Sequence, residues 1–511
     1  MPIRLFSSPP KPPDSRGTGQ PAGLSGFPCT SPHSLKCGSV EASQQASQPM
    51  NRTPTPSVSG LPGPHFPRRT ALRWLLAPAF AAPGLSLAQS PDGTGKPAAG
   101  PPPAPVPASE PSVSPPASAI PEPDMRPRLE SGIALLDKLY WCPDLNIWLD
   151  HSGDQLRAFY EGSRNPPWWS CANAVEMLID FMNATGGTSH DAALAALHAT
   201  HHTNADHMPA VVAGLKKRGQ WSERDETRLR AKPRARRSTR EGYSEFCNEY
   251  LDDSGWWGIA WLKMHLRTKA PQYLVTAKAI HRHMAGHRLP EPDGGVMWNL
   301  EHKPPVANAV SNLLFLNLSV QLYQATGEKP YLEAARQSEA WVRKHKLYDG
   351  IGIVDAPGHT GDHWTYNQGL WAGGLAALSE AAGDAAPLQE CAAFLNGLLD
   401  RGDALTADGV IREKLSTKGW DTALFKGVFA SRLGQVLQFL DRRKSQPELA
   451  DRLRKALHTS AVSMLKNSIG PDGQFAMQWE AGAKDQEYNY NTHLSGLMLL
   501  TAGLPVSGER R

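Results

Sequence analysis

Helix-ending turns recur along this chain at a nearly constant interval, and that period restricts the fold more than any other feature. The turns Ala184-Thr185-Gly186, Arg267-Thr268-Lys269, Ala325-Thr326-Gly327, Ala381-Ala382-Gly383, Arg442-Arg443-Lys444 and Thr501-Ala502-Gly503 fall near 186, 269, 327, 383, 443 and 503. The last four intervals are 58, 56, 60 and 60 residues, and the longer first one contains a charged stretch over 205–240. A fixed period of this length marks one supersecondary unit repeated. Small residues and Gly are the usual C-terminal punctuation of helices, and strand patterning is nearly absent. The two helices of a unit also differ. Residues 310–323 are apolar on most sides, as a buried helix must be, whereas 331–344 put Leu332, Ala335 and Val342 on one face among Glu and Arg. Residues 369–378 read as another inner helix with small residues for close contact. An open array would need distinct polar end caps, which the sequence lacks. The expectation is an all-α (α/α)6 toroid of six helical hairpins over residues 126–511.

The region before it has a different composition. Pro, Ser, Gly and Ala dominate without sustained apolar periodicity, so the segment cannot bury enough surface to fold. Within it, Pro67-Arg68-Arg69 and Arg73 precede a short apolar run and a small-residue site at Ala88. That order reads as an export signal over 67–88, of the twin-arginine type. Residues 1–66 are then a disordered extension, with Met50 well placed as a start, and 89–125 a Pro/Ala-rich linker. The apolar run is too short to span a membrane. A net charge of +4 without a basic face argues against a nucleic-acid partner, and a monomer is expected. Cleavage after Ala88 would leave Cys142, Cys171, Cys247 and Cys391, for which three disulfide pairings are open. No Cys-x-x-Cys occurs in the sequence to suggest zinc, and neither a metal nor a cofactor is expected. His198, His201, His202 and His207 read as a solvated polar loop, and the Arg-rich stretch 228–240 as another.

Chemistry concentrates at Tyr250-Leu251-Asp252-Asp253-Ser254-Gly255-Trp256-Trp257, where two carboxylates precede two tryptophans at the start of a helical run. Retaining glycosidases use two carboxyl groups about 5–5.5 Å apart. Adjacent residues reach that spacing only at an irregular helix start, because successive helical side chains diverge by about 100°. The same residues also suit an N-cap and core aromatics. Further polar and aromatic groups stand ahead of the other inner helices and would converge on one face of a toroid. Trp169, Trp257, Trp298 and Tyr366 are candidates to stack on sugars. Asn173, Asn308, Asn312, Asn367, Gln368 and Lys426 are candidates to bond hydroxyls.

Tyr250-Leu251-Asp252-Asp253-x-x-Trp256-Trp257, Asn308-Ala309-x-x-Asn312-Leu313, Thr365-Tyr366-Asn367-Gln368-Gly369 and Phe425-Lys426-Gly427-Val428-Phe429 resemble, in order, the motifs of glycoside hydrolase family 76. The resemblance runs from about Leu129 to Gly503. It implies a six-hairpin α/α barrel and a metal-independent, endo-acting, retaining α-1,6-mannanase. Fungal relatives act as cell-wall transglycosylases. By position, Asp252 would be the nucleophile and Asp253 the general acid/base. Two departures stand out: Ala307, where members often carry Lys, and the Arg-rich insertion before the acidic pair.

Overall fold

The computed structural model describes residues 125–504, except 151, 162–165, 204–206, 232–243, 402–403, 417–418 and 483–485. The extension, export signal and linker assigned to residues 1–124 lie outside the described residues. The helices are α1 (Met125–Tyr140), α2 (Gln155–Glu161), α3 (Trp168–Thr185), α4 (Asp191–His201), α5 (Met208–Lys217), α6 (Glu223–Ala231), α7 (Leu251–Thr268) and α8 (Pro271–Gly286). They continue as α9 (Ala309–Thr326), α10 (Lys329–Lys344), α11 (Thr365–Ala382), α12 (Ala386–Arg401), α13 (Thr422–Arg443), α14 (Pro447–Asn467) and α15 (Tyr490–Ala502).

Six of these form a closed inner ring. Helix α3 packs on α7, α7 on α9, α9 on α11, α11 on α13, α13 on α15, and α15 back on α3. Their sequences explain the placement. In α9 Leu313, Leu314, Phe315, Leu316 and Leu318 are all buried. Each such side chain contributes about 1.5–3 kcal/mol on leaving water. Close approach is sequence-encoded as well. A Cβ on Gly427 of α13 would lie 2.6 Å from the Ser495 backbone of α15, so only glycine fits there.

Five inner helices end on a left-handed residue, namely Gly186, Lys269, Gly327, Gly383 and Lys444, and the chain turns into an outer helix. The sixth does not: Gly503 after α15 has φ −83°. This corrects the expectation of a sixth sequential hairpin there. The outer partner of α15 is α1, from the other end of the fold. His493 on α15 donates to the Gly132 carbonyl of α1 at 2.9 Å, sealing the ring.

On the opposite end, successive units are joined by small bridged turns. The pairs Arg288–Val296, Tyr348–Ile353, Leu405–Ile411 and Ile469–Phe475 each flank an Asp-Gly step, at Asp293-Gly294, Asp349-Gly350, Asp408-Gly409 and Asp472-Gly473. These glycines have φ between 72° and 90°, which L-residues resist. A fifth loop carries β1 (Trp141–Cys142) paired antiparallel with β2 (Ile147–Trp148).

Inside the ring, Arg432 of α13 makes a bidentate pair with Glu176 of α3 at 2.6 and 2.8 Å. Lys263 of α7 bridges Glu176 and Asp180 at 2.8 and 2.7 Å. Burial opposes both carboxylates. The two cations nevertheless hold Glu176 well below its ordinary pKa, while burial prevails at Asp180 and raises it.

Three local expectations change. The four cysteines of the described region are buried free thiols, not disulfides. His198 and His201 are buried on α4 rather than in a solvated loop. His198 meets Thr276 at 3.0 Å and His201 the Leu145 carbonyl at 2.7 Å. The insertion is partly helical. Its helix α5 packs on α2, and Asp225 of α6 pairs with Arg157 at 3.0 Å. Residues 232–240 of the Arg-rich stretch lie outside the described residues. Among the described residues, no helix is long and apolar enough to cross a membrane.

Candidate active site

All six inner helices point their N-termini the same way, because an outer helix carries the chain back between each inner helix and the next. The loops preceding them therefore meet on one face. Direct contacts show it: Trp169 donates to Asp421 at 2.9 Å, Asn491 to the Trp420 carbonyl at 2.8 Å, and Ala309 N–H to the Asp355 carbonyl at 2.7 Å.

Asp252 and Asp253 occupy the first turn of α7, where free N–H groups and the helix dipole favour negative charge. Asp252 is half-buried and Asp253 is 5% exposed. The Asp253 N–H donates to Asp252 Oδ1 at 3.0 Å, and the Trp298 indole also hydrogen-bonds the Asp252 carboxylate. Burial and then the Asp253 charge push the Asp252 carboxyl well above its usual range. Two close carboxylates resist double ionisation, so the Asp253 charge works against ionisation of Asp252. Asn248 Nδ2 donates to Asp253 Oδ2 at 2.9 Å.

The segment before α7 is pinned to the loop before α9. Leu251 N–H donates to Trp298 O at 2.9 Å and Leu300 N–H to Glu249 O at 3.0 Å. The Tyr250 and Trp298 rings meet edge-on at 5.7 Å. Across the mouth, Tyr366 packs on Phe425 with centroids 4.1 Å apart, and Trp364 meets the same ring at 5.4 Å. Trp169 lies against Trp256 and Phe425 at 5.9 and 6.0 Å.

Asp355 is an acid that motif spacing did not single out. Asn367 Nδ2 donates to it at 3.0 Å and the Tyr366 hydroxyl at 3.3 Å. Burial raises its carboxyl to about 6. Burial, Asp355 and Asp252 together raise the Tyr366 phenol well above its ordinary value, so Tyr366 lies within the field of both acids. The fourfold Asp-Gly step was the overlooked signal, since Asp355 follows the second of these turns. Asp355, His359 and Asp362 bring ligand-type atoms within 4.8 Å of one another. His359 already engages Asp362 at 2.7 Å.

Several candidate sugar-binding residues have structural occupations instead. Trp257 is 0% exposed, stacked between Phe246 and Trp261 at 4.6 and 5.7 Å, so no sugar reaches it. Asn308 caps α9 by accepting from Ser311 N–H at 3.2 Å. Asn312 spends its amide on Val296 and Asn308, and Gln368 spends its own on Ile353 and Trp364. Asn173 is wholly buried and donates to Trp169 O at 3.0 Å. Lys426 is buried, donates to the Met477 carbonyl and lies 4.4 Å from the Trp479 ring centroid. Burial lowers its pKa to about 8 against the pull of Glu480 and Glu413. Its ammonium faces the wall rather than a hydroxyl. Asn173, Asn308, Asn312, Gln368 and Lys426 are polar groups buried where they must be paired, and each bonds backbone.

The model of the family described as glycosyl hydrolase family 76 matches residues 230–506. This chain belongs to glycosyl hydrolase family 76. The mannan endo-1,6-alpha-mannosidase DCW1 of Saccharomyces cerevisiae is 28% identical over 277 residues, covering 49% of this chain and 59% of that protein. DFG5 of the same yeast, also a mannan endo-1,6-alpha-mannosidase, is 25% identical over 276 residues, 49% of this chain and 58% of its own length. The chain thus spans under two thirds of these relatives. The GH76A alpha-1,6-mannanase of Salegentibacter sp. shares the fold with TM-score 0.56 at 20% identity, covering 74% of this chain and 99% of that one. Another structure of that mannanase is an inactive variant with two consecutive aspartates replaced by asparagine, in complex with alpha-1,6-mannotriose. It aligns with TM-score 0.56 at 19% identity, over 75% of this chain and 99% of that one. The toroid expected from the sequence is therefore the fold of this family 76 chain.

Proposed function

We propose that this chain is a retaining, endo-acting glycoside hydrolase that cleaves α-1,6-mannosidic linkages, with Asp252 and Asp253 as its reacting acids. The observation that carries this reading is the pair itself: two consecutive carboxyls on the first turn of α7, the Asp253 N–H donating to Asp252. The related mannan endo-1,6-alpha-mannosidases support the substrate class. The Salegentibacter enzyme, inactive with two consecutive aspartates changed, supports the residues.

The chemistry follows from the positions. Asp252 attacks the anomeric carbon and forms a glycosyl ester as the glycosidic C–O bond breaks, while Asp253 gives its proton to the departing oxygen. Asp253 then removes a proton from water, whose oxygen attacks the anomeric carbon and releases Asp252. Burial and the Asp253 charge oppose the ionised Asp252 needed for attack, and the Trp298 indole and the Asp253 N–H offset them in part. Trp298, Trp364, Tyr366 and Phe425 offer ring surface, and Asp355, held by the buried Asn367, offers a polar group for a sugar. Residues 67–88, read as an export signal, would direct the chain out of the cytoplasm.

Release of reducing ends from an α-1,6-mannan backbone tests the reading. Asp252→Asn and Asp253→Asn should each lower kcat by about 10²-fold or more. Unchanged rates in both variants would sink it. Adding an acceptor glycan separates transfer from hydrolysis, because only the group attacking the glycosyl ester differs. Binding of mannan without turnover would mark a glycan-binding protein.

A further inference from the structure

We propose that Asn248 is a positioning residue that fixes which oxygen of Asp253 carries the transferable proton. The inference rests on the double-displacement reading above. It starts from the way the Asn248 amide is held. Its Oδ1 accepts from Tyr250 N–H at 3.0 Å and lies 3.5 Å from the Ser254 hydroxyl. The Asn248 N–H donates to Ser254 Oγ at 3.1 Å, and its carbonyl accepts from His283 Nε2 at 3.2 Å. A backbone N–H requires an acceptor, so the oxygen end of the amide is committed to Tyr250. Only the NH2 end is left to face Asp253, which it meets at Oδ2, 2.9 Å away.

A donor imposes a rule on a carboxyl. The oxygen facing an N–H accepts best as the C=O oxygen, so this contact favours the acid proton on Oδ1 over Oδ2. A general acid gives up its proton efficiently only when that proton is aimed at the leaving oxygen. When Asp253 becomes a carboxylate, the same N–H stabilises it and keeps it from holding the proton too tightly. The support is itself uncharged. His283 donates to a carbonyl as the neutral imidazole, and burial lowers its pKa to about 4. Asp252 and Asp253 are the acidic groups this contact bears on, and His283 of α8 and His287 just after it flank it.

The clean variant is Asn248→Asp, which keeps the acceptor for Tyr250 and removes the donor; Asn248→Ala removes both. In the full-length protein, kcat/KM is measured on α-1,6-mannan and on a 2,4-dinitrophenyl α-1,6-mannobioside, whose leaving group needs no proton. The expected result is a loss of about 10²-fold on mannan but under about threefold on the activated substrate. The basic limb of the mannan pH profile should also move to higher pH, because Asp253 loses a donor and gains a negative neighbour. Equal losses on both substrates, or an unmoved limb, would overturn the proposal. Carbon-13 carboxyl NMR of aspartate-labelled protein in an Asp252→Asn background reads the contact without any substrate. There the Asp253 titration should move up in both variants, and an unmoved titration overturns the proposal. A wild-type chain inactive on both substrates would instead remove the double-displacement reading.

Discussion

Asn312 holds Val296 by both its backbone groups, accepting from the N–H at 2.8 Å and donating to the carbonyl at 3.0 Å. Gln368 holds Ile353 in the same way one unit later, at 2.7 and 2.9 Å. Each amide on an inner helix thus fastens the bridged turn ahead of it. Asn312→Ala or Gln368→Ala should cost about 2–5 kcal/mol, since two buried backbone groups lose their partners. Urea unfolding measures this. Asn312→Ala should also slow catalysis, because the Val296 turn carries Trp298.

Trp298 and Trp257 should separate cleanly. Trp298→Phe removes the indole donor to Asp252 and should lower kcat while the unfolding midpoint stays close to wild type. Trp257→Phe trims a 0% exposed ring and should destabilise by about 1–3 kcal/mol with kcat retained in the folded fraction. Paired kinetics and thermal melts decide. The reverse pattern would assign Trp257 to the cleft.

Acid should unfold this protein early. Burial lowers His198, His201, His281, His283 and His493 to about 4 each, so they are neutral in the fold. In the unfolded chain each titrates near its ordinary value of about 6.5. Between pH 6.5 and 4 the unfolded state binds more protons, so stability is full above 6.5 and falls on acidification. Each group contributes up to about 1.4 kcal/mol per pH unit. Urea midpoints at pH 7.5 and 5 should differ strongly, and His281→Gln should reduce the slope. A flat profile would contradict this burial.

Arg432→Met should be costly and partly reversible. It leaves Glu176 buried with Lys263 and the neutral Gln435 amide, which should cost about 3–5 kcal/mol. Adding Glu176→Gln should restore part of the loss, as measured by denaturant titration of the single and double variants.

Much of the architecture was legible because its signals are local. The left-handed turns at Gly186, Gly327 and Gly383 and the apolar helix 310–323 are properties of short segments. So is the adjacency of Asp252 and Asp253. The amides and Trp257 were harder to read, since Asn312, Gln368 and Lys426 look in sequence like groups that could bond a hydroxyl. Only their surroundings show the polar side chain turned to backbone and the indole sealed in a stack.

The sequence by itself determined the six-fold helical repeat, the layer of the stretches 310–323, 331–344 and 369–378, and where two acids begin a helix, because helical period and turn chemistry act over a few residues. Tertiary structure alone decided that α15 closes against α1 through His493 and Gly132, 361 residues apart, and that Leu251 N–H meets the Trp298 carbonyl. Those contacts exist only once the ring has closed, since the packing of the whole barrel fixes which groups lose water and which partners replace it.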